Sequence, residues 1–220
     1  QLNLFTNYYP IVSNFRLIKI NKDMNKKKFL NRVVKHIDIK SFDSTPIIDS
    51  MRDMSFTSRE IAQAADILQL MIKDANCTNW LTLAGSTSAG GCMQVYVDMI
   101  KNNMIDVVVA TGASIVDMDF FEALGYKHYI GSSWADDKQL RSLYIDRIYD
   151  TYIDAEELQA CDETTKIIAN SLEPRPYSSR EFIKEMGRYL TKHAVKKDSL
   201  VQTAFEHNVP IFCPAFSDSS

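Results

Sequence analysis

The chain has 220 residues, enough for one sizeable domain or two small ones, and its hydrophobic content of 45% is ordinary for a globular protein. Its formal net charge of −3 argues against the strong basic field with which proteins attract nucleic acids or anionic membranes. No apolar run is long enough for a membrane span, and the N-terminus lacks a signal-peptide pattern. From the charge and the apolar runs together, we expect neither nucleic-acid nor membrane partners.

The four cysteines are widely spaced and form no CxxC pair. Neither a metal site nor a redox motif is therefore predicted. Reduced thiols in the cytoplasm are the simplest expectation.

In chain order, residues 1–45 predict a peripheral helical extension, and residues 46–220 predict the main α/β domain. Helical apolar spacing begins in "TSREIAQAADILQLMIKDA", where Thr57 and Glu60 have the spacing of a capping box. Further helical patterns occur in "CMQVYVDMIKNN", "DAEELQACDETTKIIANSL", "FIKEMGRYL" and "SLVQTAFEHN", and Ser178 with Glu181 forms a second capping box.

Three nearly continuous apolar segments lie between these helices: "NWLTLAG" (79–85), "IDVVVATG" (105–112) and "VPIFCPAF" (209–216). This pattern is typical of strands that are covered on both faces. The alternation with helices predicts a Rossmann-like α/β fold with a mostly parallel sheet and helices on both faces. The aromatic segment "LYIDRIYDTYI" is expected to pack against that sheet.

Two of these strands end in turns of small residues, "AGSTSAGG" (84–91) and "ATGASIVDMD" (110–119). In a parallel sheet both turns lie at the carboxyl edge, where ligands bind. Small residues let backbone N–H groups approach an anion, so the pair of turns suits a dinucleotide. Close strand–helix packing would explain the small residues equally well, because neither turn is a GxGxxG or Walker A motif.

Three acidic residues follow the second turn: Asp117, Asp119 and Glu122. They could face a polycation, but favourable placement in the first turn of a helix explains them better. His128, His193 and His207 are isolated, and positions at helix ends or on the surface are the simplest interpretation.

The same turns resemble the deoxyhypusine synthase family. "NNMIDVVVATGASIVDMDFFEALG" is similar to its second nucleotide-binding turn, "LAGSTSAGG" to its first, and "VPIFCPAFSDSS" to a strand that ends in an aspartate turn. The resemblance extends over roughly residues 45 to 220. It implies an NAD-dependent homotetramer that oxidises and cleaves spermidine, then passes the aminobutyl group to an enzyme lysine and on to a lysine of a translation factor precursor.

The resemblance also implies roles for individual residues. Asp218 would hold a ribose hydroxyl of NAD, and Asp119, or alternatively Asp117, would lie near the polyamine. Two triplets in the turns would line the NAD site: Gly85, Ser86 and Thr87 in the first turn, and Thr111, Gly112 and Ala113 in the second.

The family's imine-forming lysine lies in a later segment, so no catalytic residue is assigned here and the domain is expected to be incomplete at its C-terminus. Lys196 and Lys197 lie in a polar stretch that does not match that segment. Two alternatives stay open beside protein-directed transfer. One is a homospermidine synthase-like enzyme with a small diamine as acceptor, and the other is a truncated, non-catalytic paralogue that binds NAD.

Overall fold

The structure is a computed structural model, and it describes residues 22–216. These residues form two compact units. One takes residues up to 34 together with 127–160, and the other takes residues 35–126 together with 161 onward. We call them the antiparallel unit and the parallel unit, after their sheets. The predicted domain boundary at residue 45 stays a prediction.

The strands are short, and the helices between them vary from one turn to five. The strands are β1 Trp80–Leu83, β2 Val107–Ala110, β3 His128–Ile130, β4 Ile145–Ile148, β5 Thr151–Asp154 and β6 Ile211–Phe212. The helices are α1 Thr45–Met51, α2 Thr57–Lys73, α3 Met93–Lys101, α4 Phe121–Ala123, α5 Asp137–Ser142, α6 Ala155–Ser171, α7 Ser179–His193 and α8 Leu200–Glu206. A 3-10 turn covers Ile39–Ser41, π-helical segments cover Ser88–Cys92 and Ala113–Phe120, and residues 22–29 are also helical.

The parallel unit is built on the three segments that were predicted as strands. Its sheet has the order β1-β2-β6, and both neighbouring pairs are parallel. Trp80 lies opposite Val107, and Val108 lies opposite Ile211. The predicted α/β class with a parallel sheet is therefore confirmed.

Burial on both faces was the wrong expectation for β1. Its residues alternate between exposed and covered within the described residues, and Trp80 is 61% exposed. The central strand β2 carries the fully buried Val108. The core of this unit combines the sheet with α3, α8 and the second π-helical segment, through Val97, Ile115, Phe120, Phe121, Leu200 and Ile211.

The two predicted capping boxes have different outcomes. At α7 the Ser178 hydroxyl accepts from the Glu181 N–H at 3.2 Å, and the Glu181 carboxylate accepts from the Ser178 N–H at 2.9 Å. The capping box predicted at Thr57 does not form, because Thr57 is already the first residue of α2. The N-cap position is occupied by Phe56, which makes no side-chain cap bond.

The antiparallel unit contains a sheet that the sequence did not predict. Its order is β3-β5-β4, and "LYIDRIYDTYI" supplies β4 and β5. A buried cluster of Leu140, Leu143, Ile145 and Tyr152 stabilises this unit. The tight turn escaped prediction because Tyr149, rather than Gly or Asn, adopts the positive φ of 52°.

Within residues 22–216, no helix combines the length and the apolar character that crossing a membrane requires.

Candidate functional site

The two small-residue turns lie side by side at the carboxyl edge of the parallel sheet. The Ser114 hydroxyl of the second turn donates to the Ala84 carbonyl of the first at 2.9 Å. A Cβ added to Gly85 would lie 3.6 Å from Thr111 Oγ1 and 3.8 Å from Ala113 Cβ. Parallel pairing of β1 with β2 brings the strand ends together and so produces this juxtaposition.

The backbone of the first turn is shaped unusually. Ser86 has a φ of +74°, a conformation that side-chain-bearing residues seldom adopt and that is often found at functional sites. The following segment, Ser88–Cys92, has π-helical hydrogen bonds, with the Cys92 N–H donating to the Thr87 carbonyl at 3.1 Å. π-Helical turns are also frequent at functional sites.

The second turn opens onto a cavity of about 440 Å³. This volume is within the range of small-molecule sites. Its lining consists of Ala110, Thr111, Gly112, Ala113, Asp117, Pro214 and Ala215. Residues at or after the ends of β2 and β6 therefore line one cavity. Three of the predicted cofactor residues, Thr111, Gly112 and Ala113, are among them.

Asp117 is the acidic residue of this cavity. Burial raises the pKa of its carboxyl to about 6, and the negative charge of Asp162 on α6 adds to that rise. Two carboxylates near one another in partly buried surroundings favour a cation beside them.

Asp119 occupies a different environment from Asp117. It is 1% exposed, and its carboxylate accepts hydrogen bonds from the Leu200 N–H at 2.7 Å and the Val201 N–H at 2.8 Å. Burial raises its pKa to about 6, and the two backbone donors act in the opposite direction. Asp119 therefore holds the first turn of α8 and does not line the cavity.

The cavity is compatible with part of a dinucleotide. The Thr87 hydroxyl oxygen is buried and has no hydrogen-bond partner among the described residues, and Thr87 does not line the cavity. Backbone N–H groups at the start of the second π-helical segment are suited to an anion. The Thr111–Ala113 turn could hold a cofactor there. Asp218 lies outside the described residues, and its ribose role stays a prediction, as does the role predicted for Thr87.

Sequence reasoning missed His36, although it connects the helices that follow the two turns. Its Nε2 is 2.7 Å from Glu122 Oε2, and its Nδ1 accepts from the Met93 N–H at 3.2 Å. Glu122 also forms an ion pair with Lys196. No spacing rule relates His36 to these residues, since they are 57 or more positions away and meet only in the fold.

Comparisons with known proteins identify the family of the chain. The deoxyhypusine synthase family model matches residues 46–220. Proteins described as deoxyhypusine synthase-like are 65% identical over 196 residues in Coxiella burnetii and 66% identical over 196 residues in Caulobacter vibrioides. "Probable deoxyhypusine synthase 2" of Methanosarcina acetivorans is 36% identical over 197 residues.

These alignments cover 89–90% of this chain but only 53–57% of each relative, so the chain spans about half the length of the curated relatives it matches. A solved Entamoeba histolytica protein, provisionally assigned as a deoxyhypusine synthase, matches with a TM-score of 0.58 at 17% identity. That match covers 84% of this chain and 63% of the solved one, and it supports the fold alone. Because the family model accounts for most of its length, the chain belongs to the deoxyhypusine synthase family.

Proposed function

We propose that the protein carrying this chain uses NAD to transfer the aminobutyl group of spermidine to a lysine of a translation factor precursor. The observation that supports this most strongly is the cavity at the carboxyl edge of the sheet, where the Thr111–Ala113 turn and Asp117 line one space. A nucleotide turn beside an acidic residue is suited to an oxidation of a cationic amine.

The cofactor would supply reversible hydride transfer. The N–H groups of the second turn would bind its anionic part. Gly85 lies close to the second turn, since a Cβ added there would be at ordinary van der Waals distance from Thr111 and Ala113. The two turns would thereby fix the cofactor at the strand ends.

The polyamine would lie on the Asp117 side of the cavity. Because its amines are positively charged, the Asp117 carboxylate and the nearby charge of Asp162 would attract and orient them. Asp119 is left out of this role, since backbone donors already occupy its carboxylate. The imine-forming lysine is not assigned to a residue of this chain.

The activity is tested with the full-length protein, NAD and spermidine, offered either a translation factor precursor or putrescine. Mass spectrometry of the precursor should show one added aminobutyl group, and omission of NAD should abolish it. Transfer to putrescine alone would replace this proposal by homospermidine synthesis. Transfer to neither acceptor would contradict an enzymatic role and leave the non-catalytic alternative.

The ribose role of Asp218 is tested separately. Asp218→Ala should weaken NAD binding in the full-length protein, because a carboxylate can accept hydrogen bonds from both ribose hydroxyls. An NAD dissociation constant equal to that of the wild type would contradict this assignment.

A further inference from the structure

Residues 35–41, which we call the strap, lie against the first turn. The Ile37 N–H donates to the Gly91 carbonyl at 2.9 Å. Gly91 has a φ of +92°, and a Cβ added there would come within 2.8 Å of the Lys35 carbonyl oxygen. The strap precedes the range that the family model matches, yet its backbone touches the nucleotide turn directly.

His36 is the strap residue whose side chain bonds to both of the helices that follow the two turns. Met93 is the first residue of α3 and directly follows the first π-helical segment, while Glu122 follows the second. A backbone N–H can only donate, so His36 Nδ1 accepts from Met93. The proton is then on Nε2, which donates to the Glu122 carboxylate at 2.7 Å.

We propose that His36 is a positioning residue that holds the two nucleotide turns in the relative arrangement that binds NAD. One planar ring carries both hydrogen bonds and so links the Met93 backbone, directly after the first π-helical segment, to the Glu122 carboxylate, two residues after the second. The His36 side chain is 12% exposed and that of Glu122 is 10% exposed, so water competes poorly for these bonds. The NAD part of this inference rests on the proposed function.

The first test separates the two hydrogen bonds by hydrogen–deuterium exchange of the full-length protein without NAD. His36→Asn keeps an acceptor near the Nδ1 position but cannot reach Glu122. His36→Gln keeps a donor near the Nε2 position but loses the acceptor for Met93. We expect His36→Asn to speed exchange in residues 113–124, His36→Gln to speed it in residues 87–94, and His36→Ala to speed it in both.

The proposal would be overturned if the exchange rates in the Asn and Gln variants equalled those of the wild type. It would also be overturned if each variant raised the rate equally in both segments. Either result would show that the two bonds do not act separately on the two turns. Since this readout needs no ligand, it decides on the role of His36 even if the protein binds no NAD.

The second test measures NAD affinity by calorimetry on the same full-length variants. His36→Ala should raise the dissociation constant by about tenfold, because only the fraction of molecules that keep the two turns in the binding arrangement can bind NAD. Lys40→Ala is the matched control. It breaks the 2.8 Å bond from Lys40 to Asp98, which ties the strap to α3 without contacting either turn.

Lys40→Ala should leave NAD affinity unchanged. Equal losses in the two variants, or none in His36→Ala, would overturn the proposal. A wild-type protein that binds no NAD would instead contradict the proposed function, and the exchange pattern would remain the test of His36.

Discussion

Asp117 and Asp119 are two positions apart, but their surroundings give them different roles. Asp117 lines the cavity, whereas Asp119 accepts two backbone N–H bonds at the start of α8. The family resemblance implied that one of them lies near the polyamine and preferred Asp119. It could not decide between them, because their orientation depends on a π-helical segment that no spacing pattern announces.

Replacing Asp119 should cost stability. Asp119→Ala leaves two buried N–H groups of α8 without an acceptor, and we expect the free energy of unfolding to fall by roughly 2 kcal/mol. Asp119→Asn should cost less, because its amide oxygen still accepts. Urea unfolding measures the change, with Asp117→Ala as the control. A smaller loss for Asp119→Ala than for Asp117→Ala would contradict the capping role.

Asp117 should make binding of a cationic amine depend on pH. Its pKa is raised to about 6, so the carboxyl is mostly protonated at lower pH and ionised at neutral pH. Only the ionised form attracts an ammonium, so spermidine affinity should fall about tenfold between pH 7 and pH 5. Equilibrium dialysis of the full-length protein measures this. Asp117→Asn should bind spermidine weakly at both pH 7 and pH 5. If the affinity of this variant still depended on pH, another group would be responsible for the dependence.

At the scale of elements, the sequence predicted the strands of the parallel sheet and the helices around them well. Apolar runs and helical spacing are local signals, and both were sufficient there. The hairpin of β4 and β5 was missed because Tyr149 carries the positive φ of its turn without a Gly or Asn to indicate it. The strap was missed for another reason, since its contacts join residues far apart in the chain.

The contact between α7 and α8 depends on Gly187. A Cβ added there would lie 2.5 Å from Phe205 Cβ and 2.8 Å from the Val201 carbonyl oxygen. Gly187→Ala should therefore lower the free energy of unfolding by about 1–3 kcal/mol, because the two helices must move apart. Urea unfolding tests this, and Gly90→Ala is the control, since its added Cβ would meet nothing within 4 Å. Equal stability of the two variants would contradict the close-packing argument.

At the scale of the whole molecule, the chain accounts for about half the length of its curated relatives. Membership of the family and the α/β fold follow from the chain itself, whereas the transfer reaction belongs to the whole protein and is a proposal. The sequence located both turns from their small residues. The resemblance gave those turns a cofactor, which composition and spacing alone left undecided.

The central claim is that the two turns form an NAD site, and an NAD titration of the full-length protein tests it most directly. Ala113→Leu places a bulky side chain in the cavity, and Ala169→Leu places the same side chain on an exposed part of α6. We expect the wild type and Ala169→Leu to bind NAD alike and Ala113→Leu to bind at least about tenfold more weakly. A folded Ala113→Leu variant with wild-type affinity would contradict the claim.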